Sequence, residues 1–341
     1  MGAAEIGLSS RARGVGTRLL TRRALESLAD ADDLSQLARG LARSGATIEP
    51  VGDAPDIAAF ELAARRTAAA HLRTLLRWQE RRPGVLDAFV AAQDRRNLRA
   101  LLRGALQSAP AAARVAGLIP TPTMPERALT ELARQASPSA VVALLTILRH
   151  PGAARLVPIV AKAQPDLFAI EVALLKGFAA RAGAAARRGD RALRAYVSDL
   201  VDVGNAQAAL LLAGGPRDVD PATAFVEGGA SLGRDAFVVA ASSSSRVAAL
   251  GALTPALAGT RLAAALPVVA DDAAAIERTF LEHALARLAV EARLDPLGSA
   301  PLLRVLLRIE AQSRDLRALG WGAVLGTPAV LRRQQLVTPW H

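Results

Sequence analysis

Cysteine, lysine and histidine, which commonly serve as nucleophiles, bases or metal ligands, are rare or absent in this sequence, and those present are dispersed along the chain. There is no cysteine, and the only lysines are Lys162 and Lys176. The four histidines are far apart, and none belongs to a His-Glu-x-x-His motif; they are His71, His150, His283 and His341. Without cysteine, neither a disulfide framework nor a cysteine metal site can form. The sequence therefore predicts no metal and no cofactor.

Phosphate-binding and nucleophilic motifs are also missing from the sequence. The Gly14-Val-Gly16 segment lacks the preceding strand that a dinucleotide loop requires, and no glycine-rich loop ends in a lysine. No serine lies in a nucleophile-elbow motif. The paired acids Asp271 and Asp272 are typical of a helix N-terminus, where carboxylates interact favourably with the helix dipole. We therefore expect no catalytic activity.

One polar position recurs three times at a long, regular interval. Asn97, Asn205 and Asp315 lie 108 and 110 residues apart, each near the end of an apolar helical pattern that stops at a glycine. We interpret them as hydrogen-bonding residues between two paired helices; the alternative is a polar lining of a shared central cavity. The candidate residues for a cavity or partner contact are Asp94, Asn97, Arg99, Asp202, Asn205, Glu310, Asp315 and Arg317.

The sequence contains three pairs of long helical patterns, and each of these polar residues lies in the second pattern of its pair. Each pair has a break between its members, at Gly84, Asp190 and Asp295, and the breaks are 106 and 105 residues apart. A tight connection between two long helices predicts an antiparallel pair. The predicted pairs are 56–81 with 84–107, 165–188 with 190–213, and 271–293 with 295–319.

The repeated polar residues and the breaks between paired helices recur at nearly the same interval, which indicates a helical domain used three times. The alternative is a chance alignment, because any all-helical chain contains many helical hairpins. We place the units at 1–107, 108–214 and 215–341, with the proline-containing segment 108–123 as the first linker. Strand patterns are nearly absent. The predicted fold class is all-α. A first short helix is expected from about Arg18 to Ala29, and His71 is expected to be a core residue.

Composition limits the possible functions further. The chain carries a net charge of +11, but arginine supplies nearly all of its 42 basic residues and the excess is spread along the chain. A nucleic-acid interface would concentrate basic residues on one face, so we expect no nucleic-acid partner. No stretch of 18 or more residues lacks charges and turn residues, which argues against a transmembrane helix. The N-terminus, with Glu5 and no apolar run, does not resemble a signal peptide.

An ordered set of short motifs resembles one known family, the C subunit of V-type and archaeal-type rotary ATPases, called subunit d in eukaryotes. The resemblance covers about residues 7–337. Its motifs are Arg11-Ala-Arg13 with Leu19-Leu20, Asp94-Arg-Arg-Asn97-Leu98-Arg99, Leu193-Arg-Ala-Tyr196 leading to Asp202 and Asn205, Phe225-Val-Glu-Gly-Gly229, and Asp295-Pro-Leu-Gly298 with Glu310 and Leu316-Arg317. The chain departs from the family pattern at Gly7, Ser9, Ala206, Val305, Leu307 and Arg308.

The resemblance implies three helical bundles around a pseudo-threefold axis, forming a funnel with a central cavity. It implies a non-catalytic socket at the cytoplasmic face of the membrane, peripheral to it. Its partners would be the central shaft subunits and the membrane rotor ring, and its role would be to transmit torque for ion transport, with the proton as the expected ion. The alternatives are a free-standing basic helical scaffold that binds nucleic acid or protein and, behind it, an enzyme.

Overall fold

The computed structural model describes residues 3–45, 55–78, 84–215, 220–260, 263 and 273–339. These residues form sixteen α-helices and one short 3-10 helix at Pro221–Ala224, and no strand occurs among them. The predicted all-α class is confirmed. Asp271, Asp272 and His341 lie outside the described residues.

The helices are numbered in chain order. The first five are α1 (Ala3–Gly16), α2 (Arg22–Leu28), α3 (Leu34–Arg43), α4 (Ile57–Leu76) and α5 (Val85–Leu106). The next six are α6 (Ala111–Val115), α7 (Glu126–Ala133), α8 (Pro138–Ile147), α9 (Ala153–Val160), α10 (Leu167–Arg188) and α11 (Arg191–Leu212). The last five are α12 (Arg234–Ala241), α13 (Arg246–Ala256), α14 (Ala273–Leu294), α15 (Ala300–Val324) and α16 (Ala329–Gln334).

Two of the breaks predicted between the long helices, Gly84 and Asp190, are the N-cap residues of α5 and α11, whereas Asp295 directly follows α14 and precedes the start of α15 by five residues. Asp190 is the N-cap of α11, and its Oδ1 accepts the backbone N–H of Leu193 at 3.0 Å. Gly84 begins α5, and its backbone N–H donates to Asp87 Oδ2 at 2.8 Å. Before α15, Asp295 Oδ1 accepts the N–H of Gly298 at 3.0 Å. The carboxylates of Asp87 and Asp190 accept from backbone donors at the helix N-terminus and so stabilise the starts of α5 and α11, whereas Asp295 stabilises the turn between α14 and α15.

The chain divides into two compact units, and each is built from segments distant in sequence. The first unit comprises 1–82, 110–133 and 284–341, and the second comprises 83–109 and 134–283. In the first unit, α4 and α1 both pack against α15. Gly320 of α15 allows a close approach to α4, because a Cβ atom there would lie 2.8 Å from Phe60 Cδ1. One core cluster of this unit consists of Leu20, Leu25, Leu28, Ala29, Leu37, Leu41, Phe60, Ala64, Leu316, Leu319 and Leu336.

The second unit is organised around α10. Helix α5 packs against one side of α10, and α11 packs against it as well. Helices α12 and α13 cover α11, and α8 covers α5. The largest side chains with almost no exposure in this unit are Phe89, Tyr196 and Phe237. The alanine-rich sequence permits these close helix contacts, since small side chains let the helix axes approach.

The structure and the sequence predictions disagree about which helices pack against each other. The predicted pairing holds for α10 and α11, which pack together, but α4 and α5 belong to different units. Within those units, α4 packs on α15 and α5 packs on α10. A short connector brings two helix ends together, but the distribution of apolar surface decides which faces pack. Helix α5 is buried around most of its circumference, so one neighbour cannot cover it.

The first short helix is Arg22–Leu28, within the predicted range, whereas the preceding helix α1 was not predicted. A short helix, α6, also lies inside the predicted linker. Regular spacing extends to the short helices: the caps Ser137 and Ser245 begin α8 and α13 at positions 108 apart. The three-unit division at 107 and 214 stays a prediction.

Candidate functional site

Asn205 joins the middle of α11 to a segment that follows it in the second unit. Its Nδ2 donates to the carbonyl oxygen of Val226 at 2.8 Å, and its Oδ1 accepts the N–H of Val226 at 3.0 Å. The side chain is fully buried. One amide therefore satisfies both backbone groups of a buried residue, which would otherwise cost free energy.

Asp202, one helical turn before Asn205, holds the continuation of the same segment. Its Oδ2 accepts the N–H groups of Ala230 and Ser231, both at 2.8 Å, and its Oδ1 accepts that of Leu232 at 3.2 Å. Burial raises the pKa of this carboxyl, while the three backbone bonds act in the opposite direction. Gly229 makes the approach possible, because a Cβ atom there would lie 1.9 Å from Asp202 Oδ1.

The first unit contains the same arrangement on α15. Asp315 Oδ1 accepts the N–H of Val337 at 2.7 Å, and Oδ2 accepts that of Thr338 at 3.0 Å. Burial raises the pKa of Asp315; the bonds from Val337 and Thr338 and the charge of Arg22 oppose that shift. Three residues earlier, Gln312 Oε1 accepts the N–H of Leu20 at 2.7 Å.

Gln312 was not predicted, and its role parallels that of Asp202. Both residues precede the repeated polar residue by three positions, and both bind the residue that lies two positions before a short helix. Leu232 precedes α12 and Leu20 precedes α2 in this way. Gln312 precedes Asp315 by three residues, as Asp202 precedes Asn205, and this spacing could have identified it. It was missed because an amide stands at Gln312 where Asp202 has a carboxylate.

Asp94 occupies the corresponding position on α5 and is almost fully buried. Within the second unit, Arg181 Nη1 donates to Asp94 Oδ2 at 2.8 Å, and His150 Nε2 lies 3.6 Å from the same oxygen. His150 Nδ1 accepts the N–H of Gly152 at 3.0 Å, so a neutral His150 carries its proton on the Nε2 that faces Asp94. The cluster joins α5, the turn before α9, and α10.

Arg99 engages two carboxylates inside its own unit. Its Nε donates to Glu171 Oε2 at 2.7 Å, and its Nη1 pairs with Glu277. These charges raise the pKa of Arg99, although burial acts in the opposite direction. Arg99 therefore links α5, α10 and α14 rather than extending into solvent.

The remaining predicted residues lie elsewhere. Arg317 is exposed on α15, and its Nε donates to Glu61 Oε1 at 2.8 Å; the Trp321 Nε1 donates to the same oxygen at 2.8 Å. Glu310 is half-buried and Asn97 is almost fully buried. The structure thus brings Asp202 together with Asn205, and places Asp315 with Gln312. A role for these eight residues in a central cavity or a partner contact stays a prediction.

The acidic groups of the repeated arrangement accept backbone N–H groups, and the described residues hold no cluster of three or more potential metal ligands. The family model of the ATP synthase (C/AC39) subunit matches residues 8–334. The chain belongs to the ATP synthase (C/AC39) subunit family. Comparison with curated proteins gives no match.

The C/AC39 family is the structural, non-catalytic subunit of V- and A-type rotary ATPases, and its eukaryotic members are called subunit d. The family resemblance found in the sequence is therefore confirmed. Within the described part of the chain, no helix has the length and apolar character needed to cross a membrane. His71, interpreted as a core residue, is buried in α4.

Proposed function

We propose that this C/AC39 subunit is the central-stalk socket of a rotary ATPase. It connects the rotor shaft to the membrane rotor ring and transmits torque between them, at the cytoplasmic face of the membrane. Ion transport, with the proton as the expected ion, is coupled in this way to ATP hydrolysis or synthesis. The three bundles are proposed to lie around a pseudo-threefold axis with a central cavity.

The observation that carries the proposal is the recurrence of buried polar residues on the long helices that hold segments from elsewhere in the same unit against those helices. Asp202 and Asn205 do this in the second unit, and Gln312 and Asp315 do it in the first. A subunit that transmits torque must resist local opening, and segments held only by surface contacts open at low free-energy cost. Directional bonds in a buried setting oppose such opening.

The packing of long helices supports the cyclic arrangement of bundles. The second helix of the first sequence pair, α5, packs on the first helix of the next pair, α10. The second helix of the last pair, α15, packs on the first helix of the first pair, α4. Two of the three contacts that a cyclic arrangement requires therefore occur, one within each unit.

Reconstitution tests the proposal directly. The catalytic head of the ATPase should hydrolyse ATP with or without this subunit, because the subunit carries no catalytic residues. ATP-driven ion uptake into vesicles containing the complete enzyme should require it. If a complex assembled without the subunit transports ions at the normal rate, the socket role is wrong.

A further inference from the structure

The turn that joins α14 to α15, in the first unit, carries exposed apolar side chains. Val290 and Leu294 lie four residues apart near the end of α14, with 53 % and 81 % of their surfaces exposed, and Leu297 in the turn is 49 % exposed. Residues four apart lie on the same face of a helix. The two side chains of α14 therefore form an apolar stripe that ends at the turn, and the fold of the unit leaves this stripe uncovered.

Arginines cluster at the same turn. Arg293 is exposed beside Leu294 in the sequence, and Arg13 of α1 donates from its Nη2 to the carbonyl oxygen of Pro296 at 2.8 Å. Arg304, at the start of α15, is half-buried, and its Nε has no hydrogen-bond partner among the described residues. Burial, followed by the charge of Arg293, lowers the pKa of Arg304. The arginines of α14 and α15 are therefore close enough to repel each other.

The acids near this turn do not neutralise the arginines. Asp295 is the acid within the turn, and its Oδ1 accepts the N–H of Gly298 at 3.0 Å. Glu291 of α14 pairs with Arg287 on the same helix at 2.9 Å. The three arginines of the turn outnumber its one acid, so the exposed apolar stripe ends in a region of positive charge.

We propose that the α14–α15 tip binds the surface of a membrane that contains anionic phospholipids. The tip consists of Val290, Arg293, Leu294, Leu297, Arg13 and Arg304. Guanidinium groups bind phosphate well, and apolar side chains flanked by cations insert at the boundary between headgroups and acyl chains. A side chain as exposed as Leu294 needs a fitted pocket on a protein partner but none in a lipid layer. Free phosphate would bind the arginines and leave the leucines in water.

The lipid contact is separate from the torque-transmitting role. Vesicle binding by the isolated chain could fail while ion transport by the complete enzyme still requires the subunit. The converse result would leave the lipid contact standing and remove the socket role.

Flotation of the purified 341-residue chain with vesicles tests the proposal. Vesicles of phosphatidylcholine are compared with vesicles that also contain phosphatidylglycerol. We expect binding to the anionic vesicles, and this binding should decrease as salt is added, because salt screens the attraction between arginines and headgroups. No binding to the anionic vesicles, or equal binding to both kinds, would overturn the proposal.

Substitutions at the tip are compared with matched substitutions in the second unit. Leu294→Ser should weaken binding to anionic vesicles by about tenfold and Arg293→Gln by about fivefold. Val247→Ser in α13 and Arg191→Gln in α11 should leave it nearly unchanged. All four side chains are exposed, so the variants should fold. Equal losses in the controls would show that overall charge and hydropathy govern binding, and would overturn the proposal.

The absence of cysteine from the chain permits a site-specific measurement. Leu297→Cys, and Val247→Cys as its control, each introduce one thiol for an environment-sensitive dye. We expect anionic vesicles to shift the emission of the dye at position 297 to shorter wavelength and to leave the dye at position 247 unchanged. Inorganic phosphate and polyglutamate should shift neither. A dye at position 297 that stays in water on vesicle-bound protein, or a shift caused by phosphate or polyglutamate without vesicles, would overturn the proposal.

Discussion

Replacing Gly229 with alanine should damage the second unit through one identifiable contact. The new Cβ atom would lie 1.9 Å from Asp202 Oδ1, whereas ordinary contacts begin at 3.4 Å. The carboxylate or the segment must therefore move by about 1.5 Å, too far for all three backbone bonds to Asp202 to survive. Hydrogen bonds to charged groups contribute about 1.5–3 kcal/mol each, so losing one or two costs about 3 kcal/mol.

Because the entropy of unfolding scales with chain length, a loss of that size should lower the Tm of this 341-residue chain by roughly 4 °C, measured by circular dichroism or calorimetry. Gly251→Ala is the matched control: this glycine lies within α13, and a Cβ atom added to it would have no neighbouring atom within 4 Å among the described residues. The control should leave stability unchanged or raise it by about 0.5–1 kcal/mol.

A double-mutant cycle tests whether Asp202 transmits the effect. In an Asp202→Ala background, Gly229→Ala should cost little more, because the obstructing oxygen has been removed. The reasoning is refuted if Gly229→Ala unfolds at the same temperature as Gly251→Ala. It is also refuted if the two substitutions in the cycle are additive.

Three further predictions concern buried positions. Leu98→Ala should cost about 2–5 kcal/mol, since Leu98 is buried in the second unit; an unchanged denaturant midpoint would contradict this. Gly320→Ala should cost about 1–3 kcal/mol by forcing α15 away from Phe60, and a Tm equal to that of the unmodified protein would exclude such overpacking. Because burial raises the pKa of Asp315, its folded form binds protons more strongly than the unfolded chain, so its contribution to stability grows as pH falls from neutral toward about 4. The Tm of the unmodified protein minus that of Asp315→Asn should therefore rise as the pH falls over this range. A difference that does not depend on pH would refute the prediction.

Sequence patterns predict the local structure of this chain well. The breaks at Gly84, Asp190 and Asp295 precede long helices because caps and turns are decided by a few adjacent residues. The repeated positions Asn205 and Asp315 were selected as hydrogen-bonding residues, and both form hydrogen bonds. The prediction had them joining the two helices of a pair, whereas the observed partners are the backbones of segments that follow the second helix.

Long-range partners could not be derived in the same way. The contact of Asp202 with residues 230–232 depends on where the segment returns after α11, and no local periodicity encodes that path. The close approach of the Arg95 side chain to Gly204 likewise depends on how α5 packs near α11. A single sequence shows that such residues are polar or small, but not which surfaces meet.

The bond between Leu20 and Gln312 has a consequence for how the protein is synthesised. The two residues are 292 positions apart, and at about 5–20 residues per second the second follows the first from the ribosome after roughly 15–60 s. During that interval α2 and α3 expose apolar side chains, including Leu25 and Leu37, whose packing partners on α15 do not yet exist. The first unit can therefore close only late in translation, after α15 has left the ribosome.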